Sequence, residues 1–204
     1  MPRVRGRPRE SAVDARLLEA VRALLTHSDY SQVSIAQISA AAAAGRAAIY
    51  RRWSSKPELV FAAVVHGTEL DAERFDRGGL SADLSALVEH VVALLSTPVA
   101  RHALPGLVAD LQADPEARHG FRARFVAAEV ELVAGMLARA RSRAELRLDH
   151  PISAHSVHAH LLGMAWAEVF LVGGEPDARA IVDRISRSVL STLTTVGADD
   201  AHTS

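Results

Sequence analysis

Apolar residues recur at helical spacing along nearly the whole chain. Leu17, Leu18, Val21, Leu24 and Leu25 form a continuous stripe, which predicts a helix over 11–27 with Ser11 as its cap. Ile35, Ile38 and Ala42 mark a short second helix, opened by Ser34 with Gln37 three residues on, the pattern of a capping box. Residues 43–45 predict a turn, with Gly45 supplying left-handed backbone. A third helix follows with Ile49 as its core residue and Arg46, Ala47, Ala48, Tyr50, Arg51 and Arg52 around it. Ser55 and Glu58 repeat the capping-box spacing, with Pro57 in the first turn, so a fourth helix starts after Trp53. Leu59, Val60, Ala63 and Val64 give it a buried face, and Gly78-Gly79 predicts its stop near residue 76.

Five further helices follow in the pattern. Ser81 is the expected cap of one that turns Leu84, Leu87, Val88, Val91 and Leu95 inward. Thr97-Pro98 opens the next, and Pro105 inside it predicts a kink or break. Asp114-Pro115-Glu116 starts a long helix to about residue 143, with Phe121, Phe125, Leu132 and Met136 on one stripe. Val126, Val130, Val133 and Leu137 form its neighbour. Pro151 opens a helix that is apolar nearly all round over 161–172, a sign of burial on several sides, before Gly173-Gly174. The last helix carries Ile181, Ile185, Val189, Leu193 and Val196. The expected fold is all-α with about nine helices. The expected division is a basic disordered arm (1–9), a helix-turn-helix domain (10–56), a helical domain (57–197) and a loose tail (198–204).

Composition sharpens this outline. The chain of 204 residues is 49% hydrophobic and only 4% aromatic, so its cores are built from Ala, Leu and Val. The absence of cysteine excludes disulfide and thiol chemistry. No apolar run reaches the roughly 18 residues of a membrane span, and no secretory signal is evident, so a cytoplasmic protein is expected. Charge is segregated. Residues 1–60 hold ten Arg or Lys against five Asp or Glu, and the remainder 13 against 19. A codon bias toward GC explains a chain with one lysine and no asparagine, but not this segregation. A basic lobe that coincides with two short helices and a turn points to DNA.

The geometry of double-stranded DNA supports that reading. Its major groove is about 12 Å wide and admits one helix. Gly45, Ala47 and Ala48 allow close approach, and the helix N-terminus favours phosphate. Arg46, Arg51 and Arg52 offer two-pronged donors to guanine, and Tyr50 and Lys56 suit phosphate oxygens, with Ser34 and Trp53 at the margins. With no Asn, any A·T preference falls to Gln32, Gln37 or contacts with thymine. Arg3, Arg5, Arg7 and Arg9 form a candidate arm for the minor groove or the phosphates.

The stretch 34–59 resembles the signature of the TetR family of bacterial transcriptional regulators. Ile35-Ala36, Ala42, Ile49-Tyr50, Arg52-Trp53, Lys56 and Leu59 fall in register, within a match over about 11–64. Ala43 stands where the family has a turn Gly, Gly45 where it often has Ser, and Ala48 where it has Thr. The resemblance implies a repressor that dimerises through its C-terminal helix pair, binds a palindromic operator and is released by a small-molecule effector. The apolar surface of the last two helices agrees with a two-fold contact. Phe125, Trp166 and Phe170, with His102 as a polar contact, are the candidate ligand residues.

Other chemistry has less support. His155 and His158 share a helical face, but with no Cys nearby they read as a solvated polar face rather than a metal site. No phosphate loop, nucleophile elbow or zinc-protease motif occurs, so neither cofactor nor catalytic residue is assigned. Glu168 lies in an apolar run and requires a partner, for which an arginine across a dimer is the candidate. The competing reading is an all-helical enzyme or protein-binding adaptor with a basic contact surface.

Overall fold

A computed structural model describes residues 7–68, 72–146, 152–172 and 177–194, with the side chains of 7–11 and 194 left aside. Every regular element among them is helical. The ten α-helical segments are α1 (Arg7–Leu25), α2 (Ile35–Ala41), α3 (Arg46–Tyr50), α4 (Lys56–Val65), α5 (Leu80–Ser96), α6 (Pro98–Ala113), α7 (Pro115–Phe121), α8 (Ala127–Ser142), α9 (Ala154–Trp166) and α10 (Ala178–Thr194). Short 3-10 turns occupy Tyr30–Gln32 and Ala72–Phe75, and wide π turns occupy Arg122–Val126 and Ala167–Val172. Helix α7, the first π turn and α8 follow one another directly in sequence. Among the described residues no single helix is long and apolar enough to cross a membrane.

The chain divides into two compact units, Met1–Glu69 with Thr97–Arg124, and Leu70–Ser96 with Phe125–Ser204. In the first, α1 packs on α2, α4 and α6, α2 on α3, and α4 on α6 and α7. Leu17, Val21, Leu25, Ile38, Ile49, Leu59, Val60 and Ala63 are at most 1% exposed and form its core. In the second, α5 packs on α8, α9 and α10, and α9 on α8 and α10. Leu84, Val88, Met136, Leu137, Val157, Ile181, Ile185 and Val189 form that core.

Several helix ends depart from the pattern. Helix α1 begins at Arg7, so Ser11 is interior rather than a cap, and Arg7 and Arg9 belong to helix backbone rather than to an irregular arm. Arg3 and Arg5 lie outside the described residues. Helix α4 stops at Val65, well short of residue 76, where His66 leaves helical geometry and Gly67 takes φ +79°. The Thr68 N–H and hydroxyl both donate to the Val65 carbonyl and close that end. Pro105 does not break α6, which runs on to Ala113, because the proline lies on its exposed face, where a missing backbone bond costs least. In α5, Val92 rather than Val91 completes the buried stripe. Ser153, not Pro151, caps α9, accepting the Ser156 N–H at 3.1 Å. Pro151, Gly173, Gly174, Pro176 and Val196 lie outside the described residues.

Candidate nucleic-acid interface

The two short helices of the head are held by local devices. The Ser34 hydroxyl accepts the Gln37 N–H at 3.3 Å, and Gln37 Oε1 accepts the Ser34 N–H at 2.8 Å, the two-way cap that the sequence implies. The turn after α2 is made differently from expectation. Ala43, at φ +46°, takes the left-handed position, and Gly45 is extended, at φ −68°, as the N-cap of α3. The Ser39 hydroxyl donates to the Ala44 carbonyl at 2.5 Å and pins the corner. Ile49, 1% exposed, anchors α3, and Trp53, 4% exposed, seals the head behind it.

These anchors leave one face of α3 in water. Gly45, Arg46, Ala47, Tyr50 and Arg51 are exposed, Tyr50 at 55%, and Ser34 is exposed beside them; Ala48 is half-buried. Neither the Arg46 nor the Arg51 side chain has a hydrogen bond or ion pair with a described residue, so both guanidinium groups are available. Three other expected DNA contacts, Arg52, Trp53 and Lys56, are turned into the protein. Arg52 pairs with Asp14 on α1 and donates to the Ala48 carbonyl at 3.0 Å, which ties α3 to α1. Lys56 Nζ donates to the Tyr30 carbonyl at 2.8 Å and lies 3.7 Å from the centre of the Tyr30 ring. Burial lowers the Lys56 pKa, against an upward pull from Asp110. The buried side chain of Trp53 serves the core. Arg52, Lys56 and Trp53 are therefore supports of α3 and not part of its exposed face.

Two further supports have distant partners that the sequence pattern does not name. Tyr30 is 3% exposed and donates its hydroxyl to Asp110 Oδ2 on α6 at 2.6 Å. Burial, and then Asp110, push its pKa well above the ordinary tyrosine value. The ring rests on Gly106, where a Cβ would come within 2.8 Å of it. The second support is Glu58, 4% exposed. The Ser55 hydroxyl accepts the Glu58 N–H at 3.4 Å, but the Glu58 carboxylate accepts the N–H of Ser54, not Ser55, at 3.0 Å. The second capping box is thus half formed, and the displaced carboxylate meets Arg124 at 3.5 Å. Arg124 also donates to the Arg52 carbonyl at 2.7 Å, just past the end of α3. Arg124 therefore holds the chain just past the end of α3 from 72 residues downstream. A signal for Glu58 existed in its capping-box spacing; none existed for Arg124.

The candidate ligand residues are divided between the two units. Trp166 and Phe170 stack with ring centres 4.2 Å apart, and Phe125 is half-buried in the same unit. His102 belongs to the first unit, where its Nδ1 is 3.7 Å from Asp29 Oδ1. His158 is not solvated: it is 8% exposed, with Nε2 2.8 Å from Glu129 Oε2, while His155 is exposed. Glu168 finds its arginine within the same chain, held by Arg184 at 2.9 and 2.8 Å. A two-pronged bond across 16 residues, with α10 packed on α9, makes a partner subunit unnecessary for it.

Comparison with known proteins agrees with this geometry. Residues 17–63 match the family of bacterial regulatory proteins named tetR, and residues 74–189 match the tetracyclin repressor-like C-terminal domain. An uncharacterized HTH-type transcriptional regulator of Mycobacterium bovis is 30% identical over 141 residues, which cover 68% of this chain and 66% of that one. A DNA-binding transcriptional repressor, TetR, of Mycobacteroides abscessus is 40% identical over 83 residues, 40% of this chain and 42% of the other. The crystal structure of the TetR family transcription regulator SCO0332 superposes with a TM-score of 0.68 at 23% identity, covering 87% of this chain and 96% of that one. The matches span both the reading head and the helical remainder, so the chain belongs to the TetR family of bacterial transcriptional regulators.

Proposed function

We propose that this protein is a dimeric, sequence-specific DNA-binding regulator, a repressor that leaves its operator when a small molecule binds the second unit. The observation that carries the reading is the outer face of α3. Two guanidinium groups without partners, small residues and a tyrosine project from a helix fixed on its other side by Ile49, Arg52 and Trp53. A single such helix reads only a few base pairs, and two heads about 34–36 Å apart on a palindromic operator supply the remaining specificity. Leu171 and Val172, 74% and 67% exposed at the end of the π turn that follows α9, leave apolar surface for a second copy against the last two helices. The stacked pair Trp166 and Phe170 supports an apolar effector in the same unit. The name of the Mycobacteroides abscessus relative supports repression. A DNA target places the protein in the cytoplasm, and nothing in the site calls for catalysis. An effector that weakens operator binding a hundredfold must prefer the released form by about 2.7 kcal/mol.

The test is fluorescence anisotropy with duplexes from upstream of the reading frame, alongside light scattering for subunit number. Arg46→Ala and Tyr50→Ala are expected to abolish specific binding while the dimer persists. Retained operator affinity in both variants, or a monomer at micromolar concentration, overturns the proposal.

A further inference from the structure

The same face has a restricted chemical vocabulary. Two-pronged reading of adenine in the major groove requires a side-chain amide, whose oxygen accepts from N6 while its nitrogen donates to N7. The chain contains no asparagine. The glutamines of the head, Gln32 and Gln37, are both engaged through their oxygens. Gln37 Oε1 accepts the N–H and the hydroxyl of Ser34, each at 2.8 Å, and Gln32 Oε1 accepts the Asp29 N–H at 3.0 Å. Swinging either amide toward a base strips a helix start of its cap, which offsets much of what an adenine pair supplies. Two carboxylates able to accept from cytosine are also engaged. Asp14 holds Arg52, and Glu58 is buried against Ser54 and Arg124. The two-pronged donors that remain exposed and unpartnered on that face are Arg46 and Arg51, which match guanine O6 and N7.

We propose that this head reads its operator through guanine, with Arg46 and Arg51 each gripping one guanine per half-site and no side chain reading adenine two-pronged. The inference rests on the DNA-binding role proposed above. At A·T pairs the exposed methyl of Ala47 is left to meet the thymine methyl, a contact that ignores the adenine.

The experiment uses the full-length protein and a random-sequence duplex pool. The most enriched site is then resynthesised with single 7-deazaguanine or 7-deazaadenine replacements, which remove N7 and keep base pairing. At least one 7-deazaguanine in each half-site is expected to lower affinity about tenfold or more. The 7-deazaadenine replacements are expected to change it less than about twofold. In Arg51→Ala, the guanine served by the missing side chain should become insensitive to replacement. A specific site whose guanines all tolerate replacement overturns this inference alone. So does a tenfold adenine effect that disappears in Gln37→Ala. A pool without any enriched sequence overturns the DNA-binding proposal and this inference with it.

Discussion

Gly106→Ala is the sharpest test of how the reading head is held. A methyl group in the middle of α6 should help on propensity grounds, by about 1 kcal/mol. Here it meets Tyr30, with its Cβ 2.8 Å from both Cβ and Cδ1 of that residue and 3.0 Å from Cγ. Those atoms form the root of the side chain, so no rotation clears them. Tyr30 is also fixed at its far end by the bond to Asp110 and at its carbonyl by Lys56. Overpacking a close-packed site costs about 1–3 kcal/mol. If the ring yields instead, a hydrogen bond to a charged group, worth about 1.5–3 kcal/mol, is lost. The penalties outweigh the propensity gain, and a net loss of about 1–3 kcal/mol is expected. Urea unfolding followed by circular dichroism measures it. Gly135→Ala on α8 is the control: its nearest neighbour is Arg139 Nη1 at 3.7 Å, ordinary contact, so it should gain up to about 1 kcal/mol. If Gly106→Ala is as stable as the parent while Gly135→Ala behaves as stated, the docking of Tyr30 on α6 is wrong.

Three other outcomes follow from the same geometry. Ala43→Gly should raise stability by about 0.5–1 kcal/mol in thermal unfolding, since relief of left-handed strain at φ +46° exceeds the added entropy of the unfolded chain. Arg124→Ala should lower stability by about 1–3 kcal/mol, because it leaves buried Glu58 with only the Ser54 N–H and frees the Arg52 carbonyl; the range is reduced because Arg124 is 45% exposed. A double-mutant cycle with Glu58→Gln should show coupling, and additivity would contradict the pairing. In the second unit, Asp83 is fully buried; burial alone would raise its pKa, but bonds from Arg143 and the Arg77 N–H hold it below the ordinary aspartate value. A depressed carboxylate contributes stability above the unfolded value, near pH 4, and loses it as pH falls through the lower folded value. Unfolding midpoints should therefore drop below about pH 4 in the parent, and the drop should be much shallower in Arg143→Met.

What the sequence determined by itself was local. The two-way cap of Ser34 and Gln37, the starts at Thr97-Pro98 and Asp114-Pro115, and the burial of Ile38, Ile49, Leu59 and Ile185 depend on partners within a turn or on periodicity alone. The exposed face of α3 was legible for the same reason, because one anchor, Ile49, fixes which side of a five-residue helix meets water. The tertiary structure decided which cations are free. Arg52 and Lys56 look like Arg46 and Arg51 in sequence, and only folding brings Asp14 to one and the Tyr30 carbonyl to the other. It also decided the role of Gly106, whose missing side chain matters only because Tyr30 arrives from 76 positions earlier. It set the partners of Glu58, His158 and Glu168, and the wide turn at Arg122–Val126 that no residue pattern announces. A helix is specified by neighbours a few residues apart, whereas the fate of a buried charge depends on groups that packing alone brings within 3–4 Å.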